Sequence, residues 1–403
     1  MFSKLKKIDW NIILPIFVLL FIGAMALHSA TVATDHTETW FQKQIVWIFL
    51  GLMVMFIVYF IPMEVIFKLA IPIYITSLVL LIIVEIAGAA GMGATRWIRM
   101  GFLNFQPSEF AKISSLILLA FYYNYEKRNP NTFSNFAIAA VIAFIPFVLI
   151  LIEPDLGTSL VIMVMFLPIL HWAGLRWITL FAILSPFFML FASFHFLAFL
   201  ITMLVILLVL YLSRQKLSIL ILVFALNIIV GLITPQLWSS LKPYQQNRIK
   251  VFMKPEIDPR GAGYQIIQSK VAIGSGGFYG KGWHKGTQVQ LRFLPEQHTD
   301  FIMAVVGEEF GFLGAAVVLL AFAYLLIRIL YIAANVRNKG KQLLCVGIFI
   351  IFFFHILVNV GMTIGLMPVT GLPLPFLSYG GSAMLLNFSL IGFVLNSWAT
   401  RYS

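Results

Sequence analysis

Leu217-Ser-Ile-Leu-Ile-Leu-Val-Phe-Ala-Leu-Asn-Ile-Ile-Val-Gly-Leu-Ile-Thr234 contains no charged side chain. A helix of about 20 such residues crosses a hydrocarbon core of about 30 Å. Similar runs recur outward in both directions, at roughly 12–31, 45–62, 66–87, 108–124, 135–152, 156–173, 176–194, 196–212, 302–330, 344–362 and 382–398. Of the 403 residues, 61% are hydrophobic and 10% charged, where a soluble domain is about a quarter charged. A soluble fold also needs a polar surface, so the apolar surplus faces lipid. The expected fold is an all-α polytopic membrane protein: one domain over 1–403, a helical bundle of about twelve transmembrane spans, with a large extracytoplasmic loop at 235–300.

A net charge of +12 would suggest nucleic acid in a soluble protein. Here Lys and Arg cluster in the loops expected inside the cell, so no nucleic acid is implied. With the N-terminus inside, those loops carry Lys127 and Arg128, Arg176, Arg214 and Lys216, and Arg337, Lys339 and Lys341, with Arg401 after the last span. Span parity and charge asymmetry agree. The basic N-terminus and first apolar run imitate a signal peptide, but the run is long and a bundle follows it, so it reads as an uncleaved span. Cys345 is the single cysteine, which excludes an intrachain disulfide and a cysteine metal site.

Four segments fall outside: about 88–107, 153–155, 235–300 and 363–381. The long one is expected to hold short amphipathic helices such as Gly263 to Ile273. Acidic residues are scarce, so each is informative. Asp300 stands where the long loop re-enters the membrane. Partial desolvation there would raise its pKa and suit it to general-base work; the alternative is a helix N-terminal carboxylate favoured by the dipole. Glu296 and His298 lie nearby, with no zinc-motif spacing.

Glu109 and Lys112 are three apart at a helix start marked by Pro107 and Ser108, with Ser108 a candidate cap. They share a helix face, as a structural ion pair or as part of a functional path. Asp155 either caps the following span or points into a cavity beside Lys112. The long loop carries Lys242, Arg248, Lys250, Lys254, Arg260, Lys270, Lys281, Lys285 and Arg292. Such cations suit lipid headgroups or a clamp on a phosphate-bearing lipid substrate.

Several ordered blocks resemble the SEDS family (shape, elongation, division and sporulation proteins). They are Arg96-Trp-Ile-Arg99 with Phe105-Gln-Pro-Ser-Glu109, Glu153-Pro-Asp-Leu-Gly-Thr158, and Pro368 to Ser382 with its Leu377-Ser-Tyr-Gly-Gly core. The longest runs from Asp258 to Gly277 and on through Gly280-Lys-Gly-Trp283, Gly286-Thr-Gln288 and Phe293-Leu-Pro-Glu-Gln-His-Thr-Asp300. The Gly-Lys-Gly-Trp form is similar to the elongation (RodA-like) branch more than to the division (FtsW-like) branch. The family usually has ten spans; the two extra ones are expected between about 176 and 234.

The resemblance implies a bacterial inner-membrane enzyme that polymerises lipid II into glycan strands on the extracytoplasmic side, releasing undecaprenyl pyrophosphate. It implies Asp300 as the base. Lys112, Arg248 and Lys270 would hold phosphate, and Trp97 would stack on a sugar or anchor the loop. Substrate contacts would extend to Glu109, Asp155, Thr158, Glu296, His298, Ser378 and Tyr379. No cofactor is fixed, and a divalent cation stays open. Implied partners are lipid II, the growing glycan strand, a class B penicillin-binding protein transpeptidase and other membrane proteins of the elongation complex. A lipid II flippase or a non-catalytic scaffold are the readings from other classes.

Overall fold

The computed structural model describes residues 7–32, 37–87, 89–91, 94–100, 103–124, 128–214, 217–240, 246, 250–251, 254–258 and 263–402. Every apolar run becomes helix, because in lipid each backbone N–H and C=O needs a partner within its own segment. In chain order the helices begin with α1 (Trp10–Val32), α2 (Thr37–Phe60), α3 (Met63–Lys68) and α4 (Ala70–Ala87). Then come α5 (Pro107–Tyr123), α6 (Phe133–Ile152), α7 (Leu156–Ala173), α8 (Trp177–Ala192), α9 (Phe196–Leu212) and α10 (Leu217–Ser240). The series closes with α11 (Tyr264–Gly276), α12 (Thr287–Gln290), α13 (Ile302–Asn335), α14 (Lys339–Thr363) and α15 (Gly381–Ala399). Among the described residues, eight helices are long and apolar enough to cross a membrane: α1, α2 from Trp40, α6, α7, α10, α13, α14 and α15. Their outward residues are large and apolar, as with Phe17 at 70% and Leu320 at 69% exposure, which fits lipid rather than water.

The structure departs from the sequence expectation in four places. The run 66–87 is divided between α3 and α4. Helix α10 extends past 234 to Ser240. The segment 88–107 adds a feature to the all-helical reading: β1 (Ala89–Gly91), β2 (Ala94–Met100) and β3 (Leu103–Phe105) form an antiparallel three-stranded sheet in the order β1-β2-β3. Its register pairs Ala89 with Trp97 and Ile98 with Phe105. Lastly, the run 302–330 is not one straight span, because α13 breaks at Gly311 (φ 64°, ψ −159°). The backbone after the break is satisfied from outside the helix, since Phe312 N donates to Gly277 O (2.9 Å) and Leu313 N to Phe278 O (3.2 Å).

Contacts divide the chain into two compact units. One comprises Met1–Ala173 and Asp258–Ser403. In it α2 packs along α15, α1 along α13, α4 on α5, and α7 on α14. Helix α5 is buried along nearly its whole length, so polar side chains can face neighbouring helices there instead of lipid. The other unit, Gly174–Ile257, holds α8, α9 and α10 around Ile178, Met189, Met203, Ile206, Leu210 and Val223. Asn227 in α10 donates to Ser185 Oγ in α8 at 2.8 Å within that apolar packing.

Candidate functional site

Helix α5 begins with Pro107 after the extended residue Gln106, whose side chain caps nothing. Ser108 is not the cap: its buried Oγ has no hydrogen-bond partner. Gln106 instead reaches sideways, donating from Nε2 to Asp155 Oδ2 at 3.1 Å. The other Asp155 oxygen accepts from Thr158 N at 3.2 Å, so Asp155 takes the capping role in the first turn of α7. Arg96 donates to the carbonyls of Glu153 (3.2 Å) and Pro154, fastening β2 to the same turn.

One turn into α5, Lys112 is fully buried and its Nζ lies 2.8 Å from Glu109 Oε1. The same ammonium lies 3.2 Å from His355 Nε2 on α14. Glu109 Oε2 and the Oγ atoms of Ser108 and Ser115 are buried without partners. Three orphaned oxygens at the start of α5 accompany this buried ion pair, and each is costly to leave without a partner.

Asp300 lies in the turn before α13 and is half-buried. It is not the N-cap, which is Phe301. Its backbone is held on both sides: Asp300 N donates to Glu296 O (3.1 Å), and Asp300 O accepts from Asn359 Nδ2 (3.0 Å). The adjoining turn is bonded to the 372–380 segment. Ser378 Oγ donates to Thr299 O (2.6 Å) and accepts from Leu374 N (2.9 Å), while Tyr379 N donates to His298 O (2.9 Å). Gly371, at φ 75°, runs beside the carboxylate, and a Cβ there would sit in van der Waals contact, 3.7 Å from Asp300 Oδ2. Burial pushes the Asp300 carboxyl up to about 6, with the Glu296 charge adding to the rise and the Thr299 hydrogen bond opposing it. A carboxylate poised there accepts a proton near neutral pH.

The other expected site residues divide. His298 stacks on Trp40 with ring centroids 4.1 Å apart, and Tyr379 lies 6.1 Å from both rings. Burial lowers the His298 pKa, against the pull of the Glu296 charge. Glu296 Oε2 lies 3.8 Å from His298 Nε2 and accepts from Thr299 Oγ1 at 3.3 Å. Ser378 has both donor and acceptor capacity used within the protein, which makes it a brace. Thr158 is buried in the Asp155 turn. Trp97 is half-buried on β2. Lys270 is on the exposed side of α11, with its Nζ over Gly365, where a Cβ would come within 2.6 Å. Lys242, Arg248 and Arg260 lie outside the described residues. Lys281 is no free cation, because its Nζ is 2.7 Å from Glu308 Oε1.

Sequence reading passed over His355, Asn359, Glu308 and Glu309. Their signal was present: two polar residues one turn apart in an apolar run, and two adjacent acids inside another, both expensive in lipid.

A family model described as "Cell cycle protein", grouping FtsW, RodA and SpoVE, matches residues 9–202 and 198–402. Peptidoglycan glycosyltransferase MrdB of Escherichia coli K12 is 36% identical over 396 residues, covering 97% of this chain and 95% of that protein. A solved structure described as "Structural coordination of polymerization and crosslinking by a peptidoglycan synthase complex" matches at TM-score 0.76 and 28% identity, over 98% of this chain and 99% of that one. The rod shape determining protein RodA of Thermus thermophilus matches at TM-score 0.65 and 26% identity, over 98% of each chain.

Proposed function

The chain belongs to the FtsW, RodA and SpoVE family, and from that premise we propose that it is a peptidoglycan glycosyltransferase that polymerises lipid II, with Asp300 as general base. The full-length likeness to a curated peptidoglycan glycosyltransferase supports the activity. The likeness to a rod shape determining protein favours the elongation role over division. The observation that carries the base assignment is the carboxyl of Asp300, raised to about 6 by burial in a turn braced on Asn359 and Ser378.

In the reaction, Asp300 takes the proton of the acceptor sugar hydroxyl as its oxygen bonds to the anomeric carbon of the growing strand. The bond from that carbon to the pyrophosphate oxygen breaks, and undecaprenyl pyrophosphate leaves with the electron pair. The leaving group needs positive charge more than it needs a proton. Lys112, held in its ion pair with Glu109, is the cation proposed for this within the helices. Lys270 is the exposed cation on α11. Glu296, His298, Tyr379 and Trp97 supply polar and aromatic surface for sugars.

The chain acts in the bacterial cytoplasmic membrane with the site on the extracytoplasmic face. The twelve expected runs are all helical, with 66–87 divided and 302–330 broken at Gly311, and on that count the chain crosses twelve times, with α8 to α10 replacing one span of the usual ten. A class B penicillin-binding protein is the crosslinking partner, a reading supported by the similarity to a complex that coordinates polymerization and crosslinking.

Purified protein incubated with lipid II, alone and with its transpeptidase, tests the proposal. Wild type makes long glycan chains, and Asp300→Asn reduces the rate by about 100-fold or more while inserting and folding normally. Near-normal polymer from Asp300→Asn removes Asp300 from the base role.

A further inference from the structure

His355 and Asn359 sit one helical turn apart on α14, facing the same way. Together they hold consecutive carbonyls of one extramembrane segment. His355 Nδ1 is 3.1 Å from Pro373 O, and Asn359 Nδ2 donates to Leu372 O at 2.9 Å. The same amide also donates to Asp300 O. The segment so gripped includes Gly371, which borders the Asp300 carboxylate.

The hydrogen bonds decide the state of the ring. A lysine ammonium has donors only, so Nε2, 3.2 Å from Lys112 Nζ, is the acceptor. A carbonyl has acceptors only, so Nδ1 carries the proton it donates to Pro373. An imidazolium would put two donors against each other at Lys112, and the other neutral tautomer would fail at both ends.

We infer that His355 is a positioning residue for polymerisation: its neutral, Nδ1-protonated ring bridges the buried Lys112 to the Pro373 carbonyl and so sets the 370–374 segment against Asp300. The inference rests on the proposed role of Asp300 as base. It connects the buried ion pair of α5 to the 370–374 segment, whose Leu372 carbonyl shares the Asn359 amide with the Asp300 carbonyl.

Glutamine also presents one donor and one acceptor, whereas methionine fills space with no N–H or O–H. In the lipid II assay, His355→Met is expected to lower kcat roughly tenfold to a hundredfold, the scale of a small misplacement of catalytic groups. KM is expected to stay within about threefold, since the ring does not contact substrate. His355→Gln is expected to retain more than half of wild-type kcat. A second measurement needs no variant to fold: in wild-type protein carrying 15N-labelled histidine, the His355 ring, one of seven imidazoles, is expected as an Nδ1–H tautomer that persists at neutral pH. Full activity in a folded His355→Met, or an Nε2–H or doubly protonated ring at His355, overturns the inference. Asp300→Asn in the same assay separates the two readings. An active Asp300→Asn removes the base assignment whatever His355 does, and an inactive one beside a fully active His355→Met removes only the role of His355.

Discussion

Lys281 Nζ lies 2.7 Å from Glu308 Oε1, a carboxylate whose side chain is 0% exposed. Glu308 also accepts from Thr287 Oγ1 (3.2 Å), Gln288 N (2.9 Å) and Val289 N (3.1 Å). One acid inside α13 thus gathers Lys281 and residues 287–289, and the basic motif residue Lys281 serves structure.

Glu308→Ala is therefore expected to cost about 1–3 kcal/mol, because it removes the common acceptor of an ammonium and three other donors, of which Val289 N is buried. Thermal unfolding in detergent should show a drop of several degrees, and limited proteolysis should open the 281–289 stretch first. An unchanged midpoint would show that solvent replaces the carboxylate at little cost.

Gly157, in the Glu153-Pro-Asp-Leu-Gly-Thr158 block, has no room for a side chain, since a Cβ would meet Thr370 O at 2.8 Å. The obstacle is backbone, so it cannot rotate away. Gly157→Val is expected to destabilise by about 1–3 kcal/mol and to slow polymerisation more than it lowers the unfolding temperature, because Thr370 adjoins Gly371 and the Asp300 carboxylate. Proportionate losses of rate and stability would sever that link.

The polymerisation rate should depend on pH through Asp300. A base works only when unprotonated, so the rate should climb as pH rises through about 6 and level off above it. Initial rates on lipid II between pH 4.5 and 8 measure this limb. A rate already flat from pH 4.5 upward would show that no group raised into that range acts as the base.

Glu153 makes the opposite kind of contribution. Both of its oxygens are buried and unpartnered. Burial first, then the charges of Asp155 and Glu85, push its carboxyl up to about 8 against the pull of Arg96. The folded state therefore holds this proton where the unfolded state has released it, and stability from this group falls as pH rises from about 4.5 to 8. Glu153→Gln should raise the unfolding midpoint most near pH 8 and least near pH 5. Equal effects at both values would mean that the carboxylate is solvated in the fold.

The sequence alone determined the membrane character and the place of nearly every helix, because hydrophobicity over about 20 residues is a local property that the bilayer reads directly. Leu217–Ser240 and Phe133–Ile152 needed no partner to be recognised. It also singled out Asp300, Glu109 and Lys112, because charges near lipid are costly enough to stand out singly. Tertiary structure alone decided which polar groups meet. Asp155 is occupied by Thr158 and Gln106, and Ser378 by Thr299 and Leu374. Lys281 is bound to Glu308, and Lys112 shares its ammonium with His355, 243 positions away. A hydrogen bond depends on distance within about 3 Å, and no one-dimensional pattern encodes the approach of α14 to α5. The break at Gly311 followed the same rule: the sequence reads as one apolar run, and the turn at Gly277 and Phe278 supplies the acceptors that let the helix divide.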